Sequence, residues 1–432
     1  MNSMQIRNKI FLLPFLGLSS AVFAQTPGDV TNQTDYKEVY KQGGLANVIT
    51  TTVPFLNISP DARAGGMGDI GVATAPDANS MHFNLAKSVF QERQTSVAIS
   101  YSPWLRNLVP DINLAYLSFN QKIKDFGAVS ASLRYFSLGD ITFTDNTGGL
   151  IGNYKPNEFA LDAGYSQKLI DNLSMAVAFR FIYSNLTLGQ TVNGQSTRAG
   201  LAGAGDISLY YQNENWQIAK RPIIFRYGVA FTNLGSKIRY SQSSRAEFIP
   251  MNFRTGAGLT FKFDDYNSLQ WAFEINKLLV PTAPLYKRDN NGNFVDEDGD
   301  GEPDIEAGMD PNRNVVNAMF TSFGDAPGGF REELDEFNIA TGFEYWYNRI
   351  FSARVGYSHE STQKGGRRYF TVGAGVRYSV FGLDFSYLIP IVQRNPLENT
   401  IRFTLVFDFD KLSKINEASS KPYPGRAKKT ND

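Results

Sequence analysis

No cysteine occurs among the 432 residues, which excludes disulfide bracing and thiolate-held metal. Histidine is nearly as scarce, with two, and neither His82 nor His359 has ligand-like neighbours in the sequence. Charge of neither sign is in excess: lysine plus arginine equals aspartate plus glutamate at 42 each. A nucleic-acid partner, which favours a strongly basic surface, is therefore not expected. Beyond the N-terminus no segment supplies the run of about 20 apolar residues that a transmembrane helix needs. Such a chain can cross a membrane only as a closed β-barrel. No Ser/His/Asp set, HExxH or paired-carboxylate motif stands out, so no catalytic residues and no enzymatic role are expected.

What is abundant is aromatic: 33 Phe and 21 Tyr bring the aromatic share to 13%. The first residues read as an export signal, with Arg7 and Lys9 before an apolar core at Ile10–Leu18 and a small-residue cleavage site at Val22-Phe23-Ala24. The expected organisation is a signal peptide over 1–24, a periplasmic or plug segment over 25–94, a barrel over 95–409 and a polar periplasmic tail over 410–432. Within 95–409 about fourteen segments alternate with period two, an even count of the kind bacterial barrels show. In Arg367–Pro390, Phe370, Val372, Ala374, Val376, Tyr378 and Val380 share one side and Thr371, Gly373, Gly375, Arg377 and Ser379 the other. After a turn at Phe381-Gly382 the pattern resumes with Leu383, Phe385, Tyr387 and Ile389 opposite Asp384 and Ser386.

Which face meets water decides between a soluble sandwich and a membrane barrel. The second face holds tiny residues mixed with charge: Arg134, Arg180, Arg226, Arg254, Arg354, Arg377 and Arg402 against Asp162, Asp206, Glu274, Glu344 and Asp384. A solvated sheet face gains nothing from so many glycines, whereas a lumen uses small residues for room and pairs opposite charges across a polar interior. Connections agree, since short links near 124–126, 170–172, 264–267 and 348–349 alternate with long ones at 139–157, 188–204, 235–250 and 280–335. The reading is an all-β transmembrane antiparallel barrel of about fourteen strands in the outer membrane, with an N-terminal plug and both termini periplasmic.

Ahead of the barrel lies a glycine-rich stretch, "ARAGGMGDIGVATAPDANSMHFNLA" (Ala62–Ala86). Without a following P-loop Lys-Ser/Thr it suits tight packing rather than phosphate binding. It resembles the hatch of the fatty-acid-transporter-like outer-membrane barrels of fourteen strands, with Asn84-Leu85-Ala86 where those relatives carry Asn-Pro-Ala. Together with "FIPMNFRTGAGL" (Phe248–Leu259) and "FGDAPGGFREELDEFNIATGFEYWY" (Phe323–Tyr347), it resembles more closely the PorV family, an outer-membrane component of type IX secretion in Bacteroidota. The resemblance implies a shuttle without chemistry of its own. Its partners would be the type IX translocon, the C-terminal signal domain of secreted cargo and the PorU-like sortase of the attachment complex. The alternative is a channel for hydrophobic compounds, which needs an apolar lumen pocket and a lateral opening.

Two features of the long 280–335 link are candidate sites. Asp296, Asp298 and Asp300 alternate before Gly301, with Asp304 beyond, a spacing that wraps oxygen ligands around calcium; the bland reading is an acidic loop tip, and any calcium would be structural. Val316, Met319, Phe320 and Phe323 fall at helical spacing, with Phe330 following Gly328-Gly329. They either cap the barrel mouth or form a docking surface for translocon or cargo.

Overall fold

The computed structural model describes Tyr40 and residues 46–409 except 106–110, 145–148, 193–194, 219–220, 243, 290, 392–396 and 399. The signal peptide and the polar tail lie outside the described residues. Fourteen antiparallel strands close into a barrel in strict chain order. They are β1 Thr95–Pro103, β2 Asn113–Ile123, β3 Gly127–Ser137, β4 Asn157–Ile170, β5 Leu173–Asn185, β6 Gly200–Ile218 and β7 Arg221–Gly235. The second half comprises β8 Asn252–Lys262, β9 Asn267–Leu278, β10 Asn338–Tyr347, β11 Phe351–His359, β12 Arg368–Tyr378, β13 Phe381–Pro390 and β14 Ile401–Phe409. Closure comes from β1 pairing with β14, from Thr95↔Phe409 through Tyr101↔Phe403. The sheet therefore has no free edge, the condition for spanning lipid with strands.

The faces are distributed as the alternation predicts. Phe370, Val376 and Phe385 point outward and are exposed, while Arg134, Arg354, Arg402, Glu344 and Asp384 are enclosed. Large rings thus meet acyl chains, and the chain is an outer-membrane barrel. Two boundaries differ from expectation. The β12–β13 turn is Ser379-Val380, with Ser379 at φ 55°, so the strand stops before Val380 and β13 starts at Phe381. Strand β6 begins at Gly200, inside a stretch read as loop, because Leu201 is the single large residue in Gly200–Gly205 and one residue makes no period.

The hatch fills the lumen and packs by backbone. Asp61 caps the short helix α1 (Ala62–Gly65), its carboxylate accepting the Ala64 N–H at 2.9 Å. A second turn, α2 (Ser80–Phe83), leads through Asn84 into the 3₁₀-helix Leu85–Phe90. Asn84 stitches hatch to wall: its amide donates to the carbonyls of Val72 (3.0 Å) and Leu209 (2.9 Å), and its oxygen accepts the Ala86 N–H (3.0 Å). Wall glycines let the hatch backbone approach; a Cβ on Gly342 or Gly356 would overlap the Met67 carbonyl.

One expectation is corrected. Residues 46–58 do not lie on the periplasmic side with the end of β14. Asn47 N–H donates to the Gln363 carbonyl and Thr52 N–H to the Phe248 carbonyl, both in the long-loop end, and Tyr40 OH reaches Asp335. The chain descends from that end through the lumen and emerges near Gln91 to start β1. An apolar cluster draws it there: Val53, Phe55 and Leu56 pack with Ile112, Phe136, Ile182 and Phe248.

Replacing Gly356 with Val is expected to displace the hatch and destabilise the barrel by about 1–3 kcal/mol, the usual cost of overpacking. The lipid-facing control Gly203→Ala, whose new methyl would meet nothing closer than 3.7 Å, is expected to be silent. Equilibrium unfolding in lipid vesicles distinguishes the two.

Candidate functional site

Inside the barrel, most of the predicted charges meet in separate paired clusters, while Arg226 donates to Gln212 (3.1 Å) and Thr260 (2.5 Å). Arg180 bridges Asp162 (2.5 Å) and Asp206 (3.1 Å), and Arg254 pairs with Glu274 (3.0 Å). Arg354 bridges Glu344 and Asp384 at 2.8 Å each, and Arg377 adds a second contact to Asp384 (2.5 Å). The hatch completes this set. Arg63 grips Glu344 with two nitrogens (2.8 and 2.7 Å) and Asp77 with a third contact (2.8 Å), while Asp69 receives Arg402 (2.8 Å). Glu274 also accepts the N–H groups of Gly71 (2.7 Å) and Val72 (2.9 Å). Arg134 lacks a carboxylate partner and donates instead to the Leu56 carbonyl (2.5 Å) and His82 Nδ1 (2.7 Å). Since a guanidinium only donates, that ring is a neutral acceptor there. Below the hatch a cavity of about 580 Å³ opens toward the short turns, lined by Arg63, Asp77, Arg226, Trp346, Arg377 and Asp384 among others.

The long-loop end carries the larger surface. Between β9 and β10, residues 279–337 form helices α3 (Val315–Thr321) and α4 (Phe330–Asp335). Asn314 caps α3 by accepting the Asn317 N–H at 2.8 Å. The loop is held to the outside of the rim. Lys277 pairs across the sheet with Phe253, so both occupy the lipid-side face, yet Lys277 is fully buried. Its ammonium is covered by Glu333 (3.3 Å) and Glu336 and lies over the rings of Phe323 and Phe337. Glu336 also accepts from Lys364 (2.9 Å) and Thr282 (2.5 Å), and Glu332 from Lys364 (2.7 Å) and Asn47 (2.9 Å). Arg313 pairs with Asp325. Asp325, Glu333 and Glu336 stand close enough to share a cation, a demand that Lys277, Lys364 and Arg313 already meet.

The sequence candidates separate here. Val316, Phe320, Phe323 and Phe330 are exposed, whereas Met319 turns inward onto the apolar cluster under the cap, where it serves packing. Carboxylates of Asp296, Asp298 and Asp300 come within 4.8 Å of one another. Asp304 does not join them: its carboxylate accepts the Glu297 N–H at 3.1 Å and faces Lys287 at 3.6 Å. The backbone folds around Asp296, which accepts from Gly299 (2.7 Å) and Gly301 (2.9 Å) and is thereby held below the usual carboxylate range. Sequence reasoning missed Lys277, Lys364 and the glutamates opposite them. The available signal was a lysine interrupting the outward row Trp271, Phe273, Ile275, since a cation at a lipid-side position must be covered.

Burial pushes the Asp325 carboxyl up to about 6 against the pull of Arg313, and Glu333 is likewise raised by burial and by Glu336. Glu336 moves the other way, held down by Lys364 and Lys277 despite its burial. A raised folded-state value means that the Asp325 contribution is full below its ordinary 3.8 and is lost as pH climbs through about 6. The hydrogen-exchange protection of α3, corrected for intrinsic rates, is expected to fall across that window. Asp325→Asn is expected to flatten the dependence.

A family model described as "Type IX secretion system protein PorV" matches residues 41–285. No curated protein matches the chain. Among solved structures, the Pseudomonas putida toluene transporter TodX aligns at 10% identity and TM-score 0.44, covering 81% of this chain and 98% of that one. The Ralstonia pickettii toluene transporter TbuX aligns at 11% and 0.41, covering 81% and 98%. A Pseudomonas aeruginosa FadL homologue aligns at 12% and 0.38, covering 84% and 100%.

Proposed function

The chain belongs to the PorV family of type IX secretion system proteins, and from that premise we propose that it is a cargo shuttle rather than a channel or an enzyme. It binds the C-terminal signal domain of a secreted protein as that protein leaves the translocon. It then carries the cargo within the outer membrane to the attachment complex, where a PorU-like sortase removes the signal. The observation that carries this reading is the cap: an apolar loop surface presented on a closed wall and backed by buried ion pairs, the arrangement of a rigid binding face. Phe330, 78% exposed, and Leu334, 54% exposed, lie one turn apart on α4 above the charge lattice and are the foremost contact candidates for cargo or translocon. The rival reading needs an apolar passage. Charged pairs between hatch and wall argue against it.

Purified barrel is expected to retain the cargo's C-terminal signal domain in a pull-down. Replacing Phe330 and Leu334 with Ala together is expected to weaken that retention by about 2 kcal/mol, roughly 30-fold, as for a central apolar anchor. Unchanged retention by the double variant would place cargo elsewhere. In cells, deletion should abolish surface-protein export and leave uptake of hydrophobic compounds intact; the reverse pattern selects the channel.

The aspartate loop is proposed to hold a structural calcium through Asp296, Asp298 and Asp300, with oxygen ligands on alternate residues suiting a hard cation. Chelation is expected to expose residues 289–304 to protease, and calcium but not magnesium is expected to restore resistance. Cleavage at the same rate with and without chelator would remove calcium from the account.

A further inference from the structure

We propose that α3 and the turn that follows it are seated in the outer-leaflet boundary of the membrane, with Val316, Phe320 and Phe323 as lipid contacts. Val316 and Phe320 recur at i and i+4 on one side of the helix, Phe323 follows in the turn past its cap Ser322, and the three are 64%, 70% and 47% exposed. The other side is already occupied, with Ala318 and Ser322 buried and Val315 and Met319 packed on the apolar cluster. A second, outward apolar stripe on a folded loop requires its own cover.

Its position says what that cover is. The Phe323 ring stands edge-on to Phe253 with centroids 6.2 Å apart, and Phe253 contacts Phe231 at 5.1 Å. Phe253 and Phe231 are paired wall positions on the lipid-side face, at the long-loop ends of β8 and β7. The helix stripe thus continues the lipid-facing wall instead of crossing the barrel mouth. Asn314–Gly324 contains no ionisable residue, so insertion at the acyl–headgroup boundary desolvates no charge. Phe is among the side chains that an interfacial helix buries on its apolar face. Lys277, locked under the loop by Glu333 and Glu336, holds the helix against the wall. The occupant is therefore lipid of the outer leaflet, and the inference does not depend on the cargo-shuttle reading.

The absence of native cysteine makes the test direct. Val316→Cys and Phe320→Cys, each labelled with a polarity-sensitive fluorophore, are placed in nanodiscs of phosphatidylethanolamine and phosphatidylglycerol, with Asn291→Cys on the exposed loop tip as control. Folding of each is checked by heat-modifiable gel mobility. Labels at 316 and 320 are expected to be blue-shifted and to lose fluorescence when brominated lipid replaces ordinary lipid, while the label at 291 changes in neither respect. Emission at 316 and 320 like that at 291, with no loss to brominated lipid, would overturn the proposal. So would shielding that arises only when translocon or cargo domain is added, because the stripe would then be a protein interface.

Discussion

The structure depends on pairing charge inside a barrel whose outer wall cannot carry charge uncovered. A wall that meets acyl chains must send its ionisable residues inward, where an unpaired ion is costly. Arginines and carboxylates from separate strands meet there, and the hatch contributes Arg63 and Asp69 to complete sets that the wall leaves open. Filling and neutralisation are the same event. The hatch brings backbone N–H groups to Glu274 and a guanidinium to Glu344, while Gly228, Gly342 and Gly356 of the wall make room for its backbone. Removing either side would leave buried ions without partners, at about 3–5 kcal/mol for each broken pair.

At the long-loop end the logic is repeated outside the wall. Lys277 occupies a position that alternation assigns to lipid, and the 279–337 loop brings two glutamates to cover it. That ion lattice fixes the loop to the rim, to the 360–367 loop and to the N-terminal segment through Asn47. A loop so tied can hold apolar side chains outward without collapsing over the barrel mouth. On the readings proposed above, the binding surface and the membrane seat are neighbouring parts of one cap.

Much of this was legible in the residue pattern. Alternation placed Phe370 and Phe385 on the lipid side and Arg377 and Asp384 inside, because a strand turns every second side chain the same way. It failed where the period carries no contrast, as in Gly200–Gly205, and slipped by a residue or two at Ser379-Val380, where a positive φ ends the strand. The inward charges were readable as a set but not as pairs, since register across strands decides that Arg354 serves both Glu344 and Asp384. The side from which residues 46–58 enter was not readable either: it follows from apolar contacts of Val53, Phe55 and Leu56 with residues far along the chain. Helical spacing grouped Met319 with Phe320, yet the helix has apolar residues on two sides, and only packing separates them.

Ionic conductance in a planar bilayer tests the central claim most directly. If hatch and wall neutralise one another and fill the lumen, the inserted barrel passes no steady current in either polarity at ordinary salt, despite its fourteen strands. A stable open level of porin type, present as soon as the barrel inserts, would mean that the lumen is water-filled and that the lattice joining Arg63, Glu344, Arg354 and Asp384 does not close it.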